Sequence, residues 1–270
     1  MKEAWMTTPN YTTVVGVDAK HLDQLALVWP TWKKNKPSIL NHPMVVFRDT
    51  DQVTVDDVRK VVQHNDLTIC GWPPKDVEYT SENNDKWNNT QRYKMLAGFV
   101  YVPAHFVQTP YWLKLDTDVV AMSNDDWIDP NWFKDDPAIV SHPWGFTRPA
   151  NQMLKIDAWV NNNLDVLDAY HNTKPLNLLP KNRDSDRVCH KRIISWCAFF
   201  NTAFNKRCAE DAFTTLGNYH LPVPSQDSYL FYATQRQNKP VIRTSMKKLG
   251  WQVWATRYNI QNAVKKAMEQ

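Results

Sequence analysis

Asp116-Thr117-Asp118 sets two carboxylates at i and i+2 directly after a short apolar run, Tyr111–Leu115. Carboxylates spaced this way on a turn can reach one hard divalent cation. Mg2+ or Mn2+ takes oxygen ligands and keeps positions for water and substrate phosphates. Asp227 stands apart from them, behind Ser225 and Gln226 at the head of a helical pattern. A carboxylate there can act as a general base, or it can simply complement the positive end of the helix dipole. Asp18 and Asp49 each follow a β-branched run, where a carboxylate can hydrogen-bond a nucleobase edge or merely form a turn. Arg92 and Lys94 open another helical pattern and offer cations to phosphates, with a solvated helix end as the plain alternative. His142 and Arg148 follow a later strand, His142 as a metal-ligand type or an ordinary polar residue. Trp144, Trp196, Trp251 and Trp254 present indole faces that stack on sugars or fill a core.

These residues need elements to position them. Residues 12–17, 43–47, 67–71 and Tyr111–Leu115 read as strands. Between them, residues 21–32 and 92–102 carry apolar side chains at helical spacing, and Pro103 ends or kinks the second of these helices. Thr54 caps a further helix with Val58, Val61 and Val62 on one face. Strand alternating with helix predicts an α/β fold, a mostly parallel central sheet flanked by helices. Ligands of such sheets bind at the carboxyl ends of the strands, where Asp18, Asp49 and the acids at 116 and 118 fall. The second half is less regular. It reads as a strand at 138–141, a helix over 154–167, a long polar connection over 176–192 and a strand-rich run at 193–204. A helix from a Ser225 cap to Gln237 and a final strand at 241–244 complete it. With no linker visible, residues 1–270 are expected to form a single domain.

Composition excludes several classes. At 270 residues, 43% hydrophobic and 22% charged, the chain is not disordered. It has only 6 Gly and neither G-x-G-x-x-G nor G-x-x-x-x-G-K-[ST], so no glycine cradle holds a phosphate. Any bound diphosphate must be neutralised another way. The 13 Trp are far above the usual share and suit either sugar stacking or core. A net charge of +4 fits an anionic substrate without demanding nucleic acid. The most basic stretch, residues 181–192, reads as a solvated loop or as a mobile loop contacting phosphates. Four cysteines lack C-x-x-C spacing, which argues against zinc, and Cys70 and Cys197 sit in apolar runs as reduced core thiols. No secretory h-region is seen, and no apolar run approaches the roughly 18 residues of a membrane span. The expectation is a cytoplasmic protein without a membrane span.

YWLKLDTDVV resembles the strand and DxD motif of the GT-A family of nucleotide-sugar glycosyltransferases. SWCAFFNTAFNKRCAED is similar to that family's acceptor-side strand, and PSQDSYLFYATQRQNKPVIRT to its [E/Q]D-x-x-L helix and following strand. The resemblance implies a GT-A type Rossmann-like domain, with residues 1–120 as the donor half and 121–270 as the acceptor half. It implies Mn2+ or Mg2+ on Asp116 and Asp118, bound to the diphosphate of a nucleotide-sugar donor. Asp18, Asp49, Arg92, Lys94 and Thr117 then line the donor side, and Trp144, Trp196, Gln226 and Trp251 the acceptor side. Asp227 matches the family's catalytic base, which implies inversion at the sugar's anomeric carbon. The acceptor is a hydroxyl of a glycan or of a modified nucleic acid base. The chain departs from the pattern in three places. Gln226 replaces a common Glu, WCAFFN replaces a glycine-rich strand, and the last histidine, His220, precedes the base motif, which leaves a third protein ligand open. Two other classes compete. LKLDTDVV also resembles the nucleophile motif of haloacid-dehalogenase phosphohydrolases, although the paired-acid motif that family needs downstream is missing. A non-catalytic carbohydrate- or nucleic-acid-binding protein would keep the aromatics without turnover. A sugar nucleotidylyltransferase would open with a glycine-rich signature that residues 13–19 do not supply.

Overall fold

The computed structural model describes residues 8–79, 90–124, 127–149, 187–222, 226–253 and 260–270, with the backbone alone at 142–149, 187–194, 228, 232, 235, 236 and 253. The helix expected at 154–167, the cap Ser225, Trp254 and the first half of the basic stretch, residues 181–186, lie outside these residues.

The first half follows the alternation seen in the sequence. It runs β1 (Tyr11–Val17), α1 (Ala19–Asn35), β2 (Met44–Asp49), α2 (Val55–Val61), β3 (Leu67–Trp72), α3 (Thr90–Phe106) and β4 (Tyr111–Leu115). Asp18 caps α1 by accepting from the His21 backbone N–H at 2.9 Å. Thr54 and Asp57 form a reciprocal capping box on α2. Pro103 does not end α3, which runs on to Phe106.

The second half adds β5 (Val119–Ala121), β6 (Ile139–Pro149), β7 (Arg187–Asn201), α4 (Thr202–Leu216), α5 (Gln226–Arg236), β8 (Val241–Arg243), β9 (Trp251–Val253) and α6 (Ile260–Glu269). Three expectations are corrected here. Residues 187–192 are not a polar connection but the start of β7, paired with β6. The strand-rich run stops at Asn201, whose side chain accepts from the Phe204 N–H at 3.0 Å and starts α4. The buried Phe204, Cys208, Ala209 and Ala212 of α4 already stand at helical spacing in the sequence. The strand at 241 is not the last element, since β9 and α6 follow it.

The main sheet has seven strands in the order β3-β2-β1-β4-β7-β6-β8. β7 runs antiparallel to β4 and β6, and the other pairings are parallel. Side chains alternate between its two faces. Val14, Phe47, Trp112 and Phe200 pack with α3, α4 and α5. Val15, Val17, Leu113, Leu115, Cys197 and Phe199 pack with α1, α2, α6 and the small β5–β9 sheet. The result is a mostly parallel α/β sheet covered on both faces, as the sequence predicts. Polar ties fix the segment beyond β4 on α1. Trp32 Nε1 donates to the Val119 carbonyl at 2.7 Å, and Asn35 Nδ2 to that of Ala121 at 2.8 Å. Among the described residues, no helix is long and apolar enough to cross a membrane.

Candidate functional site

The carboxyl ends of β1, β2 and β4 converge, and each delivers an acid. Asp18 follows β1, Asp49 ends β2, and Asp116 and Asp118 follow β4. Asp49 is fully buried. Its Oδ2 accepts from Lys94 Nζ at 2.7 Å, Gln91 Nε2 at 2.7 Å and Gln52 Nε2 at 3.1 Å, and its Oδ1 from the Asp51 backbone N–H at 3.0 Å. Gln91 also donates to Asp18 Oδ2 at 3.1 Å and so bridges the two strand ends. Asp18 Oδ1 takes His21 Nδ1 at 2.7 Å. Burial alone would raise the Asp18 carboxyl, but the bonds from His21 and Gln91 outweigh it and hold the group well below the usual carboxylate range.

The structure thus gives some residues expected on the donor side an internal partner. Lys94 is buried and its ammonium lies on Asp49. Thr117 is buried and its hydroxyl donates to Gln24 Oε1 of α1 at 3.0 Å. Arg92 is exposed on the first turn of α3.

Asp116 and Asp118 sit on the turn between β4 and β5. The Asp116 N–H donates to the Trp196 carbonyl at 2.9 Å, which ties the turn to β7. Lys114, almost wholly buried on β4, donates to Asp116 Oδ1 and to the Ser195 carbonyl at 3.0 Å, with its ammonium 4.3 Å from the centre of the Phe99 ring. Asp118 has no such partner. Among the described residues no basic side chain is hydrogen-bonded to it. Its carboxyl is pushed up to about 6, first by burial and then by the negative charge of Asp116.

The hydrogen-bond chain continues from Lys114 through Ser195 to α5. Ser195 Oγ donates to Asp227 Oδ1 and accepts from Gln226 Nε2 at 3.1 Å. Gln226 is buried, and among the described residues its Oε1 finds no hydrogen-bond partner. Asp227 lies in the first turn of α5.

The aromatic candidates separate. Trp251 is fully buried, edge-on to Trp32 and Trp127 beneath the β5–β9 sheet, and so offers no face to an acceptor. That corrects the expectation for it. Trp196 is 8% exposed and packs in the same core, with its carbonyl at the DxD turn. His142, Trp144 and Arg148 lie on β6 where only the backbone is described.

Sequence reading passed over Gln91, His21, Lys114 and Ser195. Lys114 carried a signal, a lone cation inside the buried strand YWLKL. The others had none, because their partners lie on different elements.

Two hard carboxylates, one of them half-buried and with no basic side chain hydrogen-bonded to it among the described residues, form a donor set suited to Mg2+ or Mn2+. Among the described residues no three His, Cys, Asp or Glu side chains group into a metal site. Water and a diphosphate would complete the coordination sphere.

No protein-family description matches the chain, and no curated protein sequence is similar to it. Its fold is found among solved structures. Core-mannan synthase A from Aspergillus fumigatus, in an Mn/GDP form, is similar with a TM-score of 0.58 and 13% identity, over 85% of this chain and 71% of that one. The galactosyltransferase LgtC, in complex with donor and acceptor sugar analogues, is similar with a TM-score of 0.52 and 8% identity, over 96% and 95%. The S. cerevisiae mannosyltransferase Ktr4p in complex with GDP is similar with a TM-score of 0.51 and 11% identity, over 85% and 68%. At these identities the likeness is one of fold alone, an α/β Rossmann-like fold of the GT-A type.

Proposed function

We propose that this protein is a metal-dependent glycosyltransferase, which moves a hexosyl or pentosyl group from a nucleotide-diphosphate sugar to an acceptor hydroxyl. One observation carries the reading. Asp116 and Asp227, far apart in sequence, lie along one hydrogen-bond chain at the carboxyl end of a GT-A sheet, linked through Lys114 and Ser195. Mg2+ or Mn2+ held by Asp116 and Asp118 would neutralise charge on the departing diphosphate as a Lewis acid. The Asp18–Gln91–Asp49 bridge shapes the nucleoside end of the donor site, and exposed Arg92 offers a cation beside it. Asp227 takes the proton of the acceptor hydroxyl as that oxygen bonds the anomeric carbon and the bond to the diphosphate breaks. Attack from the face opposite the leaving group inverts the anomeric centre. The acceptor is a glycan hydroxyl or that of a modified nucleic acid base. Residues 1–120 would hold the donor and 121–270 the acceptor, within one domain.

Thermal shift with a panel of GDP- and UDP-sugars, with and without Mn2+, tests this. A donor at a hundred times its Kd stabilises the fold by about 2.7 kcal/mol, roughly 5–10 °C for a domain of this size. No shift with any nucleotide sugar or nucleoside diphosphate in Mn2+ would end the transferase reading. Asp227→Asn should keep the shift and lose transfer, and surviving transfer would remove Asp227 as the base. A phosphohydrolase would instead release phosphate from monoesters, and a binding protein would turn over nothing.

A further inference from the structure

We infer that Ser195 is the residue that positions Asp227 for proton transfer, with Lys114 as the anchor that holds Ser195 at a fixed place relative to the Asp116 turn. The inference rests on the reading of Asp227 as the base. Ser195 is 4% exposed and sits at the centre of the polar network between β4, β7 and α5. Its hydroxyl fills both roles, accepting from Gln226 Nε2 at 3.1 Å and donating to Asp227 Oδ1. Its carbonyl takes the buried Lys114 ammonium at 3.0 Å, and that ammonium also holds Asp116. The next residue, Trp196, accepts the Asp116 N–H through its carbonyl at 2.9 Å. The middle of β7 is therefore tied to the DxD turn by a backbone bond and by Lys114, and the Ser195 hydroxyl ties Asp227 to the same strand.

This matters because a carboxylate rotates broadly about its terminal torsion. A general base must instead aim one oxygen at the proton it takes, within hydrogen-bond reach. Holding Oδ1 sets the plane of the Asp227 carboxylate and with it the direction of Oδ2. A buried hydroxyl–carboxylate bond adds some net stability. Its larger effect is a fixed geometry between the leaving-group acids and the base. Positioning of this kind is worth large rate factors when misplacement is small.

The test is steady-state hydrolysis of GDP-mannose and UDP-galactose in Mn2+, in which water stands in for the acceptor hydroxyl. The water oxygen bonds the anomeric carbon, its proton passes to Asp227, and the bond to the diphosphate breaks. Wild type, Ser195→Ala, Ser195→Thr, Asp227→Asn and the double variant Ser195→Ala with Asp227→Asn are compared. Ser195→Ala should lower kcat roughly 10- to 100-fold, part of the factor general-base catalysis supplies, with donor KM within about twofold. Ser195→Thr restores the hydroxyl and should recover kcat to within a few-fold. The double variant should be no slower than Asp227→Asn, because the two residues act as a unit. If Ser195→Ala fails to fold, Ser195→Cys keeps the volume with a much weaker donor and should show the same kcat loss. A kcat for Ser195→Ala within twofold of wild type overturns the assignment alone, and so do losses that multiply in the double variant or a donor KM that rises while kcat holds. Full activity in Asp227→Asn overturns the reading of the base and this assignment with it.

Discussion

The ring of Phe47 is gripped by glycines on two elements, and Gly16→Ala should expose how tightly. Gly16 on β1 is the register partner of Phe47 on β2. A Cβ at position 16 would lie 2.3, 2.7 and 2.9 Å from Cζ, Cε2 and Cε1 of that ring, against the roughly 3.5–4.0 Å of an ordinary carbon contact. The ring cannot step aside. A Cβ at Gly98 on α3 would meet the same Cε2 at 2.5 Å and Cζ at 3.0 Å, and Phe99 packs edge-on with centroids 4.8 Å apart. Overpacking of this kind costs about 1–3 kcal/mol, while removing a glycine from a regular element returns about 0.5–1 kcal/mol. With three contacts under 3.0 Å the cost falls at the upper end of that range, and Gly16→Ala should destabilise by about 2 kcal/mol. Gly98→Ala, whose helix propensity gain is about 1 kcal/mol, should still destabilise by about 1 kcal/mol. Urea unfolding reads both. Phe47→Leu removes the ring tip, so Gly16→Ala in that background should cost at least 1 kcal/mol less than in wild type. A Gly98→Ala variant more stable than wild type, or full additivity with Phe47→Leu, would show that the slot is slack and the reasoning wrong.

Lys94→Met leaves the fully buried Asp49 carboxylate with only neutral donors and should destabilise by about 3 kcal/mol, the scale for breaking a buried pair. Adding Asp49→Asn should recover part of that loss in the same urea assay, and an unchanged midpoint for Lys94→Met counts against the pairing. Asp18→Asn keeps a helix-capping side chain but loses the charge that His21 and Gln91 bond. Because the folded carboxyl is held low, its stabilisation is present above the unfolded value of about 3.9 and is lost as pH falls through the folded value. Wild type should exceed Asp18→Asn by about 1–2 kcal/mol at pH 6, with the gap narrowing at pH 3, and an equal gap at both pH values would contradict it.

The first half of the fold was legible because each signal was local. β4 shows as an unbroken apolar run, α2 as a Thr54 cap before Val58, and α1 as buried Leu22, Leu25, Val28, Trp29 and Trp32 at helical spacing. The second half was less legible where pairing overrode composition. Residues 187–192 are basic and polar, yet they join β7 because β6 supplies a ladder to pair with. The acids of the site were legible for a similar local reason, since each follows a strand or opens a helix. Their partners were not. Gln91 acquires its role only when β1 and β2 bring Asp18 and Asp49 side by side, and Ser195 only when α5 lands on β7. Trp251 shows the reverse failure, because an indole suited to sugar stacking is equally suited to a core, and the choice depends on β9 closing over α1.

The scarcity of glycine and the pairing of the acids bear on one question, how a diphosphate could be held without a phosphate-binding loop. Three strand-end acids carry a basic partner of their own, Asp18 with His21, Asp49 with Lys94 and Asp116 with Lys114. Asp118, half-buried beside Asp116, has no basic side chain hydrogen-bonded to it among the described residues, and Lys114 and His21 act on it only through space. A half-buried carboxylate next to a like charge is a cost to the metal-free fold unless a cation relieves it. Asp118→Asn removes the charge and keeps the shape, so the metal-free protein should gain about 1–2 kcal/mol at pH 7.5, while the Mn2+-dependent shift with a nucleotide sugar should disappear. Stability and binding moving in opposite directions is what a site poised for a cation produces. An Asp118→Asn variant that is less stable without metal, or that keeps the Mn2+-dependent shift, would mean that Asp118 has a structural role and that the cation, if one binds, is held elsewhere.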